Sequence, residues 1–281
     1  MSKIKTASDG DFNKLMDSYS NKDINKFSEL IDQGVNINCI NNDGKSFISS
    51  LLNGKHNSVM DEFLSILLKN NVSLKQIGIE KSLLTIVIQN HNNTSCLEKL
   101  LKNNINIDNF GIVKHRRSIG GGSYRDDPAI FHAIWQAVVK EDNRIVDLLL
   151  KYNVDLNIEN QYDETPLHFL LRETSFYKKR KSATYLMEKL LKNGADPSIL
   201  GPDGNTIIHY TASHFYGTDV LKILFTHNHN ININAKNKHG DTALIKAVRN
   251  KNFKVARFLI RNGANSNVLS KMDSLLLWWR L

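Results

Sequence analysis

Three groups of residues in this 281-residue chain have the types that chemistry needs. His227, His229 and His239, with His214 upstream, form the densest set of metal-ligating side chains. A His-x-His followed by a third imidazole can offer three nitrogens to zinc. No fourth ligand of obvious type accompanies them, so they read as exposed loop histidines. A glycine run, Gly120-Gly121-Gly122-Ser123, follows Lys114-His115-Arg116-Arg117 and invites a phosphate-cradling reading. The Gly-Lys-Ser/Thr that closes such a loop is missing, and the flanks do not read as strand and helix of a parallel sheet. Asp126 and Asp127 are adjacent rather than spaced for acid–base work, and Cys39 has no nucleophile–base motif near it. No catalytic residue, no metal and no other cofactor is therefore expected, and the chain reads as a non-enzyme.

The basic residues are a more persistent signal. Lys+Arg 37 against Asp+Glu 28 gives a formal charge of +9. Such a balance admits nucleic acid, acidic proteins or anionic lipid as partners without selecting one. Lys178-Lys179-Arg180-Lys181, beside Phe176 and Tyr177, has the composition of a nuclear-import signal or a nucleic-acid patch; its plainer reading is a solvated basic loop between helices.

Hydrophobic residues at 41% and charged ones at 23% exclude wholesale disorder. The longest apolar run, 275–279 with Leu281, is far below the ~20 residues a membrane span needs. The first residues lack the apolar stretch of a secretory signal, and two cysteines cannot build a disulfide framework. An intracellular, cytoplasmic protein is expected, with the nucleus open to it through Lys178-Lys179-Arg180-Lys181. Asparagine is abundant, which reads as the mark of an AT-rich genome and is given no functional weight.

These residues must be positioned by a repeat. A pair of large apolar residues, two polar ones, then Gly or Asn, then a small or β-branched residue recurs along the chain. It appears as Leu30-Ile31-Asp32-Gln33-Gly34-Val35, Leu67-Leu68-Lys69-Asn70-Asn71-Val72 and Leu100-Leu101-Lys102-Asn103-Asn104-Ile105. It returns as Leu149-Leu150-Lys151-Tyr152-Asn153-Val154, Leu190-Leu191-Lys192-Asn193-Gly194-Ala195 and Leu259-Ile260-Arg261-Asn262-Gly263-Ala264, with a stretched copy ending at Asn230. The Gly/Asn slots lie 33 to 49 residues apart, a ~33-residue period carrying insertions. A helix ending on paired leucines commonly stops on a left-handed residue, which Gly and then Asn tolerate best.

A second phrase follows about 13 residues downstream in three of the units. It reads Thr165-Pro166-Leu167-His168, Thr206-Ile207-Ile208-His209 and Thr242-Ala243-Leu244-Ile245. Thr caps the helix start, and Pro loses nothing at the first helical position. Turn sequences precede the capped helices: Asn41-Asn42-Asp43-Gly44, Gly201-Pro202-Asp203-Gly204 and Asn237-Lys238-His239-Gly240.

With both phrases recurring in phase, the chain resembles the ankyrin-repeat family. Thr165-Pro166-Leu167-His168 matches that family's helix-start phrase, and Lys192-Asn193-Gly194-Ala195-Asp196 its helix-end phrase. The resemblance covers roughly residues 11–281. The drift in the first units and the Asn-rich usage look like ankyrin proteins of large DNA viruses or intracellular bacteria, which points by analogy to a host-directed binder. It implies an all-α solenoid of about six helix–turn–helix repeats with β-turn fingers and a half-repeat cap. The expected segments are a tail at 1–10, degenerate repeats at 11–110, a basic Gly-rich finger insertion at 111–127, clear repeats at 128–267 and the cap at 268–281. The apolar end of that cap either covers the last repeat or docks a partner. In such repeats His168 and His209 would bond the backbone of a neighbouring turn.

The function implied is protein–protein binding through a concave groove and the finger tips, by a monomer, as an adaptor. No F-box-like domain is expected after Asn267. The candidate contact residues are Asn42, Asp43, Gln161, Tyr162, Asp203, Lys238 and His239, with Lys114, Arg116, Arg117, Tyr124 and Arg125 in the long insertion. Tyr162 leads, because an aromatic on a rigid turn offers contact area at low entropic cost. The competing class is a basic nuclear or nucleic-acid-associated protein using Lys178-Lys179-Arg180-Lys181 and Lys114-His115-Arg116-Arg117.

Overall fold

The computed structural model describes residues 2–54, 58–74, 82–91, 94–108, 127–212, 214, 217–227 and 231–267, side chains at 2–9, 90 and 91 excepted. Lys114, Arg116, Arg117, Tyr124 and Arg125, and the expected cap at 268–281, lie outside these residues. The described residues form fourteen α-helices, with one isolated β-bridge, Ile40 to Ser46, and no strand. The helices fall into seven pairs, one for each Gly/Asn slot.

Two compact units divide the chain: residues 1–133 with 144–154, and residues 134–143 with 155–281. The first holds α1 (Ser2–Ser20), α2 (Ile24–Asp32), α3 (Phe47–Asn53), α4 (Ser58–Lys69), α5 (Leu83–His91), α6 (Thr94–Lys102) and α8 (Arg144–Lys151). Its first-of-pair helices stack as α1, α3, α5, and its second-of-pair helices as α2, α4, α6, α8. A phenylalanine cluster fills the space between the two layers. Phe27, fully buried, lies 4.5 Å from Phe63 and 5.8 Å from Phe47, and Tyr19 meets Phe63 edge-on at 5.2 Å. Each such ring buries on the order of 150–250 Å².

The boundary between units falls within α7 (Ala129–Val139). The second unit holds α9 (Pro166–Phe176), α10 (Arg180–Lys192), α11 (Ile207–Thr211), α12 (Gly217–Thr226), α13 (Ala243–Arg249) and α14 (Phe253–Arg261). There α9, α11 and α13 stack as one layer and α10, α12 and α14 as the other.

The helix ends explain the repeating slot. Gly34, Gly194 and Gly263 have φ of 84°, 96° and 95°, and Asn71, Asn104 and Asn153 take φ of 55–56°. All are left-handed, the region where a Cβ is costly and Gly or Asn is favoured. The asparagines set aside as a codon effect prove structural. Just before the slot, the amides of Asn70, Asn103, Asn193 and Asn262 each donate to the carbonyl four residues back at 2.7–2.9 Å. Just after it, Asn36, Asn106, Asp155, Asp196, Asn232 and Asn265 accept from the backbone amide two residues on. Asn38, Asn157 and Asn234 then reach the next repeat, accepting from Ser73, Asp196 and Asn265 amides at 2.7–2.8 Å. A short amide side chain supplies donor and acceptor together where helix termini leave both unpaired.

Two local expectations change. Residues 2–10, expected as a tail, are the start of α1. The solvated loop expected around Lys178-Lys179-Arg180-Lys181 is shorter than expected, residues 177–179 only, with helix on either side. α9 runs on to Phe176, with Glu173 and Thr174 buried, and α10 starts at Arg180. The extension persists because Thr174 faces the core, its hydroxyl donating to the Leu170 carbonyl at 2.7 Å. Lys178, with φ of 54°, makes the turn. Neighbouring carboxylates neutralise two of the four cations. Lys179 pairs with Glu141, whose carboxyl it holds below its usual pKa, and Arg180 pairs with Asp219 at 2.7 Å.

Candidate partner-binding face

Each finger is a tight loop closed across its base. The backbone amide of residue 160 donates to carbonyl 164, that of 201 to 205 and that of 237 to 241, at 2.8–3.0 Å. Asn160 Oδ1 accepts from the Tyr162 and Glu164 amides, and Asn237 Oδ1 from the His239 and Asp241 amides, at 2.9–3.0 Å. Asn41 does the same for Asp43 and Lys45 in the first unit. These Asx bonds hold the tip backbone in place and leave the tip side chains in solvent.

The middle finger breaks the pattern for a steric reason. A Cβ at position 201 would stand 2.9 Å from His168 Cδ2, so glycine is the residue that admits the ring. Pro202 and a turn of 3-10 helix carry that finger instead, and Asn205 Nδ2 donates to the Pro202 carbonyl at 2.8 Å. The two histidines consequently differ. His209 Nε2 lies 3.0 Å from the Asp241 carbonyl of the next finger, as expected. His168 has no such bond: its Nδ1 meets Thr165 Oγ1 at 2.9 Å, while Nε2 is buried without a hydrogen-bond partner. Burial lowers the His168 pKa to about 4.

Consecutive fingers are tied together. The Lys238 amide donates to the Asp203 carbonyl at 2.9 Å, and Asn237 Nδ2 donates to the buried Asn205 Oδ1 at 3.0 Å. Asp203, Lys238 and His239 are thereby brought together as solvent-facing tips, and Gln161 and Tyr162 are solvent-facing tips of the preceding finger in the same unit. Asn42 and Asp43 are also exposed, on the finger of the other unit.

The first layer of helices supplies a floor that the sequence reading missed. Arg172 on α9 lies 5.7 Å from the Tyr162 ring centroid and 4.9 Å from that of Phe169. Its guanidinium also meets Glu164 Oε2 at 2.6 Å and Glu173 Oε1 at 3.2 Å, both on nearly buried carboxylates. Burial raises the Glu164 pKa, an effect Arg172 opposes. Tyr210 on α11 packs on His168 at 4.9 Å, and Lys246 Nζ on α13 stands 5.8 Å over the Tyr210 ring. Lys246 also donates to Asn205 Oδ1 at 3.3 Å, and burial lowers its pKa. Arg249 forks onto both Asp241 oxygens.

A signal for these residues exists. Tyr210 and Lys246 stand four residues beyond the helix-start Thr206 and Thr242, and Arg172 and Arg249 stand seven beyond Thr165 and Thr242. Positions four and seven share a helix face.

The metal-ligating candidates do not assemble among the described residues. No group of three His, Cys, Asp or Glu there could hold a metal ion, and His229 lies outside them. Cys39 and Cys96 are buried free thiols. Burial raises both pKa values, that of Cys39 to about 11, and Cys96 Sγ donates to Asp61 Oδ1 at 2.8 Å. No described helix is long and apolar enough to cross a membrane.

Residues 178–270 match the family model for ankyrin repeats, in three copies. Over that stretch the chain carries ankyrin repeats. It is 27% identical over 134 residues to an ankyrin repeat protein of fowlpox virus, covering 48% of this chain and 18% of that one. It is 29% identical over 140 residues to one of Acanthamoeba polyphaga mimivirus, 46% of this chain and 21% of that one. The chain thus spans about a fifth of the length of these two relatives.

Among solved structures, the ankyrin repeat domain of human ASB11 superposes with a TM-score of 0.56 at 19% identity, covering 89% of this chain and 98% of that one. That of Bcl-3, a member of the IkappaB protein family, gives 0.59 at 15% identity, covering 88% and 97%. These likenesses show the ankyrin solenoid fold. Ankyrin repeats generally mediate protein–protein interaction and are typically non-enzymatic.

Proposed function

We propose that this ankyrin-repeat protein is a non-enzymatic, monomeric adaptor that binds a partner protein through the second unit's fingers and the helix face beneath them. The carrying observation is the half-buried face of Arg172, Tyr210 and Lys246 beside the exposed Tyr162, bounded by the exposed tips Asp203, Lys238 and His239. Asx bonds and finger-to-finger bonds hold this face before any partner arrives, so little ordering entropy opposes docking. Aromatic and arginine side chains on such a frame are the types that dominate binding energy. Asn42 and Asp43, and the long insertion with Lys114, Arg116, Arg117, Tyr124 and Arg125, are further contact candidates in this reading. Similarity to poxvirus and mimivirus proteins favours a host-directed role, and the cytoplasm is part of the proposal.

The second reading, a basic nuclear or nucleic-acid-associated protein, rests on the +9 charge. It requires log affinity to fall steeply with log salt. Affinity capture from cell lysate, washed at low and high salt and repeated with residues 113–125 deleted, separates the two. A discrete protein that survives high salt supports the adaptor. Recovery of nucleic acid alone, lost at high salt, overturns it.

A further inference from the structure

A second exposed surface lies at the other end of α9, about 16 Å from the finger that starts it. Here the chain turns from each first helix into its second. At the α9–α10 turn Phe176 is 78% exposed, with Tyr177 set edge-on against it at 5.0 Å. At the α13–α14 turn Phe253 is 42% exposed. Apart from the Tyr177 contact, Phe176 presents its ring to solvent, and Phe253 leaves part of its ring there too.

The charges around these rings are one-sided. Lys178 and Lys181 flank Phe176, and Lys251 and Lys254 flank Phe253; all four are exposed, and of them only Lys181 acts on a carboxylate, helping Lys179 to hold the Glu141 pKa down. The acids of this edge are Glu141, Asp142 and Asp219. Glu141 is used by Lys179, and Asp219 by Arg180. The same pairing of ring and cation thus occurs at two turns, two repeats apart. Helix layers stack about 8–10 Å apart, which puts the two turns roughly 20 Å from each other. An extended chain covers that distance in about six residues.

We propose that this turn edge docks an extended acidic segment of a partner protein carrying two aromatic side chains about six residues apart. The carboxylates meet Lys178, Lys181, Lys251 and Lys254, and the aromatics pack on Phe176 and Phe253. This surface is separate from the finger face, so each stands or falls alone.

The test is fluorescence anisotropy of the labelled peptide Glu-Phe-Asp-Glu-Glu-Asp-Glu-Phe-Glu against the full chain, at low and moderate salt. Saturable binding is expected, weaker on the order of ten-fold for the peptide with both Phe replaced by Ser and for the variants Phe176→Ala and Lys178→Glu/Lys181→Glu. The finger-tip variant Tyr162→Ala should bind the peptide as the parent does. Phe176 and both lysines are exposed, so unchanged melting temperatures will show that the variants fold. Absence of binding, equal binding by the charge-reversed variant, or tighter binding of a single-stranded DNA oligonucleotide to these same residues would overturn the proposal.

Discussion

Two glycines are fixed by close approach rather than by backbone angle. A Cβ on Gly217 would lie 2.1 Å from the Thr211 carbonyl oxygen and 2.9 Å from Val255 Cγ2. On Gly201 it would meet the His168 ring, which the buried Tyr210 contact holds in place. Overpacking of this kind costs about 1–3 kcal/mol, and more where backbone must move. Gly217→Ala is therefore expected to lower stability more than Gly201→Ala, and urea unfolding of the two variants checks the order. Equal midpoints with the parent would show that the approaches relax freely. At the same scale, the sequence displayed Tyr162 and the tip residues but hid the sacrifice at Gly201. A glycine before proline in a turn reads as turn chemistry, whereas the neighbouring imidazole that excludes a side chain belongs to a helix 33 residues earlier.

Among the elements, the joints between repeats depend on single asparagines. Asn157 Oδ1 accepts from the Asp196 amide at 2.7 Å, and its Nδ2 donates to the Gly194 carbonyl at 3.3 Å. Asn157→Ala removes both bonds at an exposed site and is expected to cost about 1 kcal/mol. Hydrogen exchange at the Asp196 amide should accelerate while amides within α9 stay protected. Exchange unchanged at Asp196 would contradict the assignment. The helix pairs themselves were legible, because leucine pairs, Gly/Asn slots and Thr caps are local signals with a local cause. The lengthened α9 was not. Residues 173–182 read as one loop, whereas α9 runs on to Phe176 over the buried Thr174. Only 177–179 turn into α10, with Lys179 and Arg180 paired to Glu141 and Asp219 from other turns. The face formed by Arg172, Tyr210, Lys246 and Arg249 was missed for a related reason: its members are far apart in sequence and share only a position relative to the helix-start threonine.

For the molecule as a whole, acid should weaken folding through its buried histidines. His168 and His214 have pKa values lowered to about 4 by burial, and His209 is lowered by the same cause. Below their ordinary value near 6.5 the unfolded chain binds protons that the folded chain refuses, so stability falls as the pH drops. The loss begins near pH 6.5 and runs on to about pH 4, at about 1.4 kcal/mol per pH unit for each histidine fully excluded from protonation. Glu164, with its raised pKa, works the other way near the acid end of that window, since folding favours its protonated form. Three histidines outweigh one carboxyl, so the melting temperature at pH 5.5 should lie below that at pH 7.5. A flat profile would mean these imidazoles are not excluded from protonation in the fold.

The central claim is that the second unit's fingers and the helix face under them recognise a protein. Its most direct measurement compares the parent with the double variant Tyr162→Ala/Lys238→Glu in affinity capture from lysate at low and high salt. Both changes sit on exposed finger tips, and the melting temperature should stay within about 2 °C of the parent's. A discrete protein retained by the parent at high salt and lost from the variant is the predicted result. Equal recovery of that protein by both forms, or recovery of nucleic acid alone that high salt removes, would contradict the account.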